Sequence, residues 1–282
     1  MKRSRGVLLL GALILATAVS AIAMLPSVAF ASGGAKREST STTEGSTSAT
    51  QESTSTGEGS TSTTQGPTSS ANPPSNPACT PSVFAEAKQL VQTELSSRVA
   101  QLQQLSNEVT NTSNHLTSSD RQTLQNDINS FELPGIEALQ SQVQQATTCA
   151  QLRADAHSMV LTYRVYLVMT PQTHLTVVAD GEIYIENVLS SLESTISSAI
   201  DKSQTNGVKV SGAQAAFIDL QRQVSAAQGE TNGLSAQLLA QTPAGSPGNW
   251  QLFLQARTNL TIARDDLHTA YADALQIKAD LT

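Results

Sequence analysis

The chain has 282 residues, with 16 basic against 23 acidic side chains and a formal net charge of −7. An acidic surface repels phosphate backbones and anionic lipid, which excludes electrostatic docking on nucleic acid or on a charged membrane surface. Charged residues make up only 14% of the chain and aromatics 4%. Ser, Thr, Asn and Gln must therefore supply the polarity, and Leu, Val, Ile and Ala the core.

The N-terminus reads as an export signal. Lys2, Arg3 and Arg5 make a positive start, and residues 6–30 are uncharged and mostly apolar. Ala29-Phe30-Ala31 then has the small-x-small pattern of a cleavage site. Residues 1–31 are thus predicted to be a signal peptide, which places the protein outside the cell or in the envelope. The apolar run is also long enough to span a bilayer. An uncleaved anchor is the alternative, and only in that form would the protein contact membrane. Without Lys2, Arg3 and Arg5, 13 basic residues face 23 acidic ones, a net of −10.

Residues 32–78 form a Ser/Thr-rich linker. The unit from Glu38 to Gln51 recurs from Glu52 to Gln65, changing only at Gly57 (for Thr43) and Thr63 (for Ala49). So few apolar side chains cannot offset the entropy of ordering, so this stalk is expected to be disordered. Its composition also suits O-glycosylation. As a flexible chain it would reach about 40 Å and hold a following domain clear of an envelope.

Residues 79–282 are predicted to form an all-α domain, an antiparallel helical bundle or coiled coil of about six helices. Six helix-start signals carry this reading. Thr80-Pro81, Thr170-Pro171 and Ser246-Pro247 pair a capping hydroxyl with a proline suited to the first helical position. Thr117 with Asp120, Thr148 with Gln151 and Ser211 with Gln214 resemble capping boxes.

In the first segment Leu95, Leu102, Val109 and Leu116 fall at sevens. The second uses Leu124, Ile128, Phe131, Leu139 and Val143, with a kink or short break expected at Pro134-Gly135. An antiparallel hairpin of these two brings Cys79 and Cys149 to the same end. In an exported protein, two cysteines so placed most simply form a disulfide.

The third segment, residues 159–169, is apolar on all sides apart from Thr162 and Arg164, the pattern of a central helix. The last three segments carry sustained three-four spacing, the period of coiled-coil packing. Their stripes run through Ile185, Leu189, Leu192, Ile196 and Ala199; through Ala213, Phe217, Leu220, Val224, Ala227, Thr231, Leu234 and Leu238; and from Phe253 to Leu281. Loops are expected at Gln204-Thr205-Asn206-Gly207 and Pro243-Ala244-Gly245. Gly229-x-x-x-Gly233 is expected to interrupt the fifth helix.

Tyr163-Arg164-Val165-Tyr166, followed by Pro171-Gln172-Thr173-His174-Leu175 and Ala179-Asp180, resembles a run in uncharacterised exported helical proteins of actinobacteria and related bacteria. Ala263-Arg264-Asp265-Asp266-Leu267 is similar to their last helix. The resemblance spans about residues 81–281 and implies an exported helical fold with no assigned activity.

No constellation for catalysis, a cofactor or a metal stands out. His115, His157, His174 and His268 are scattered, and only Asp265 with His268 shares a helix face, whereas a metal site needs three or four converging ligands. Neither a Gly-x-Ser-x-Gly elbow nor a phosphate-binding glycine loop is present. The candidate site is a pocket or buried polar cluster of Tyr163, Arg164, Tyr166, Asp180, Glu182 and Tyr184, with Arg164 paired to Asp180, Glu182 or Glu186. The sequence therefore points to a non-enzymatic exported bundle that serves as a structural or interaction module, with an unidentified protein or envelope partner. A small-molecule or metal-binding bundle is the alternative.

Overall fold

In the computed structural model the described residues are 79–111 and 115–282. The expected signal peptide and the Ser/Thr-rich linker lie outside them. Everything described is all-α, with no strand among the described residues. Helix α1 spans Pro81–Asn111, and Thr80 Oγ1 accepts from the Val83 N–H at 3.4 Å. Helix α2 spans Ser118–Asn126, capped by Thr117, which accepts from the Asp120 N–H. It runs through a π-helical segment, Asp127–Glu132, into α3, Leu133–Gln145. Helix α4 is Cys149–Leu161, and the Thr148–Gln151 capping box is formed in both directions. A second π-helical segment, Val165–Met169, leads into α5, Thr170–Thr205. Helices α6 (Ser211–Thr231), α7 (Leu234–Leu239) and α8 (Asn249–Leu281) complete the chain.

Five long rods result among the described residues, where about six helices were expected. They are α1, the α2–α3 run, the π segment with α5, then α6 and α8. The missing rod is the third segment. Its helix stops at Leu161, and its second half joins α5. Thr170-Pro171 is therefore an internal step in a continuous rod, and Thr170 makes no cap. The segment is not central either, since Val160, Leu161, Tyr166 and Leu167 are exposed. Cap hydrogen bonds are also absent at the starts of α6 and α8, so Ser211 and Ser246 do not act as caps.

Pro134 explains the first π segment. Its ring presses on the carbonyl four residues back and its nitrogen cannot donate there. The helix widens ahead of it, with the Leu133 N–H reaching Ile128 O. The extra residue shifts the stripe, leaving Phe131 69% exposed while Ile128 and Ile136 are buried. At Gly135 the Tyr163 ring lies against the backbone and leaves no room for a Cβ.

Paired contacts set α1 antiparallel to the second rod: Lys88 Nζ donates to Gln144 O, Gln140 to Ser96, and Gln125 to Thr110. The disulfide Cys79–Cys149 closes the Lys88 end, with Cα atoms 6.4 Å apart. The core of this hairpin includes Leu95, Leu102, Val109, Leu124 and Val143, and takes in Val165, Met169 and Val177. A second core joins α5, α6 and α8 through Leu189, Leu192, Leu220, Val224 and Leu267. Between them, Val168, Leu175 and Ala179 pack with Leu234, Leu238 and Phe253.

Glycine ends two of the helices for a conformational reason. Gly207 has φ +83°, donates to Gln204 O, and is followed by Val208 N–H bonding Ser203 O. This is the paired-bond pattern that closes a helix on a left-handed residue. Gly233, at φ +67°, breaks the rod between α6 and α7 where the interruption was expected.

Candidate functional site

The first half of α5 is buried on most of its circumference although it is rich in polar residues. Gln172, Thr173, Thr176, Asp180, Glu182 and Glu186 are all buried there. Burying this much polarity is tolerable only where partners replace water.

Three carboxyl groups form the centre of the site. Asp180 accepts from the Thr117 N–H at 2.8 Å on one oxygen and from the Ser235 hydroxyl at 2.7 Å on the other. It thus ties the start of α2 to α7. Glu182 is 0% exposed and accepts from Arg264 Nε of α8 at 3.0 Å, while its Oε2 has no hydrogen-bond partner among the described residues. Glu186 accepts from the Thr231 hydroxyl at 2.9 Å, at the end of α6.

Burial raises the pKa of all three above the ordinary carboxylate range, because the charged form loses its hydration. For Asp180 the bonds from Thr117 and Ser235 oppose this, and Asp120 reinforces it. For Glu182 the Arg264 charge and hydrogen bond oppose it, as does His268 more weakly. For Glu186 the Thr231 bond opposes it and the neighbouring Glu182 adds to it.

Gln172 supports the same region. Its side-chain N–H₂ lies within 3.0–3.2 Å of the carbonyls of Leu238, Leu239 and Gln241. A helix C-terminus leaves such carbonyls without intrahelical donors, so one buried amide closes α7. Asn249 does similar work by donating to Thr242 O at 2.7 Å.

The six residues named from the sequence do not converge. Asp180 and Glu182 lie in the buried row, whereas Tyr166 and Tyr184 are 41% and 38% exposed. Arg164 pairs with none of Asp180, Glu182 and Glu186; it donates to Leu161 O and to Ser246 Oγ. Tyr163 packs on Gly135. Tyr166 lies under the Arg98 guanidinium, 4.9 Å from its ring centre, and Arg98 also pairs with Glu94. Tyr184 meets His115 in a tilted pair, with ring centres 4.6 Å apart and planes inclined at 53°.

Sequence reasoning did not place Arg264, Ser235, Thr231 or Gln172 in the site. A signal for Glu182 was present, because it occupies the backward extension of the stripe from Ile185. A second acidic pair lies on the first π segment, where burial and then Asp127 push Glu132 up to about 7. Among the described residues no group of three His, Cys, Asp or Glu side chains could hold a metal ion. The chemistry available to the row is proton uptake and the clamping of four rods. No known family model, curated protein or solved structure matches this chain.

Proposed function

We propose that this chain is an exported, non-enzymatic helical-bundle protein with a structural or protein-interaction role at the cell envelope or outside the cell. The observation that carries the reading is the Cys79–Cys149 bridge. Such bridges persist in oxidising compartments and are rare where thiol reductants are maintained. Cys79 directly follows the Ser/Thr-rich stretch, so the covalent closure falls where a spacer would pass its load to the helical body. In this reading α5, α6 and α8 pack as a coiled-coil-type seam. The body presents 11 basic against 19 acidic residues, which suits a protein partner rather than a nucleic acid. Membership of the exported actinobacterial group that the Tyr163 run resembles belongs to the same proposal.

Expression of the full chain with a C-terminal tag in a host with a general secretion pathway tests it. The expected result is protein outside the cytoplasmic membrane with no free thiol by non-reducing mass analysis. Cytoplasmic retention with two free thiols would overturn the reading.

A further inference from the structure

Two Asn-Gly pairs end helices in this fold, Asn206-Gly207 after α5 and Asn232-Gly233 after α6. Chemically the pairs are alike. A glycine amide next to asparagine is the least hindered nucleophile for the side-chain carbonyl carbon, and glycine lets the intervening peptide rotate.

Structurally the pairs differ. The Gly207 N–H is held by Gln204 O at 2.9 Å, and the next N–H is pinned by Ser203 O. Asn232 (φ −56°, ψ 115°) and Gly233 (φ 67°, ψ 9°) instead form the central residues of a type II turn. Both are exposed, and the Gly233 N–H has no hydrogen-bond acceptor among the described residues. Their peptide unit can turn without breaking a protein hydrogen bond. The pair also lies between Thr231 and Ser235, the hydroxyls that hold Glu186 and Asp180.

We propose that Asn232 deamidates spontaneously in the folded protein, and that the isoaspartyl product loosens the α6–α7 corner. The Gly233 nitrogen attacks Asn232 Cγ, and the new C–N bond closes a succinimide ring. The Gly233 amide proton passes to solvent and the side-chain nitrogen leaves as ammonia. Water then adds to either ring carbonyl and opens the ring to aspartate or isoaspartate. Water is the only co-reactant, and nothing is oxidised or reduced. The isoaspartyl form adds a main-chain carbon between the two hydroxyl clamps.

The test ages the full chain, folded and in denaturant, at the same mildly alkaline pH. Trypsin places Asn206 in peptide 203–209 and Asn232 in peptide 223–257, and fragmentation mass spectra read each conversion. In the folded protein Asn232 converts faster by on the order of tenfold, because freeing Gly207 must first open a helix cap. In denaturant the two rates converge. Equal folded rates, faster conversion at Asn206, or an inert Asn232 in folded protein would overturn the site. Aged wild type should also lose urea resistance that an equally aged Asn232→Gln variant keeps. An unchanged unfolding midpoint in fully converted wild type would overturn the loosening.

Discussion

Removing Arg264 should harm this protein far more than neutralising the carboxyl it serves. Glu182 is fully buried and, among the described residues, its one hydrogen bond comes from Arg264 Nε, so Arg264→Met strands a charge away from water. Breaking a buried ion pair from one side costs about 3–5 kcal/mol. The Arg264 side chain is 33% exposed, so water already screens the pair, which lowers the expectation to about 2–3 kcal/mol at neutral pH. Glu182→Gln keeps the shape and the acceptor but removes the charge, and the exposed part of Arg264 remains hydrated. That change should cost less than about 1 kcal/mol. Without Arg264 the folded-state pKa of Glu182 rises further, so the folded protein binds a proton that the unfolded chain does not. Stability then increases as pH falls, and the Arg264→Met penalty should shrink between about pH 7.5 and about pH 5. Urea unfolding followed by circular dichroism at the two pH values measures both effects. The reasoning fails if Glu182→Gln is as damaging as Arg264→Met, or if the penalty is the same at both pH values.

The wild-type protein should itself gain stability on mild acidification. Glu132 is raised from 4.5 to about 7, so its contribution is complete below its unfolded value and is lost as pH rises through about 7. Allowing for its partial contact with water, the swing is about 1–2 kcal/mol, and Glu132→Gln should flatten the profile measured by thermal unfolding. Leu220→Ala or Leu267→Ala, in the buried seam, should cost about 2–5 kcal/mol. Exposed Gln221→Ala should stay within about half a kcal/mol in the same denaturation assay, although Gln221 bonds Glu193. Replacing Cys79 and Cys149 by Ser opens a loop with a sequence separation of 70. The expected loss is about 4 kcal/mol by the chain-entropy account, read from urea midpoints of oxidised wild type and variant.

The seam of the last three rods was legible because three-four spacing persists over many turns. Of its positions, Leu192, Leu220, Ala227, Ala263 and Leu267 are buried, while Ala199 and Phe217 are half-buried. Asp266, beside the stripe residue Leu267, is half-buried too. Caps were legible where hydroxyl and partner are local, as at Thr80, Thr117 and Thr148. They misled at Thr170, because a proline near a helix start and a proline after a π-helical turn look alike in sequence. The run 159–169 misled for a related reason: an apolar stretch has no face and cannot report that the chain breaks at Thr162. Glu182 could be recognised as out of place on its own stripe. Its partner could not, since Arg264 lies 82 residues away on another rod. Asp180 meets a backbone N–H, a donor that every residue but proline carries and that no sequence pattern marks.

Helix α5 contributes side chains to all three cores, through Val177 to the hairpin, Leu175 and Ala179 to the middle, and Ile185 onward to the seam. A rod shared in this way leaves no natural cut. A fragment ending before it would expose the hairpin's inner face, and one beginning after it would lack a third of the seam. The helical body should therefore melt as a single cooperative unit, and a load applied at the Cys79–Cys149 end would reach α8 through the packed flanks of α5 rather than through the loops.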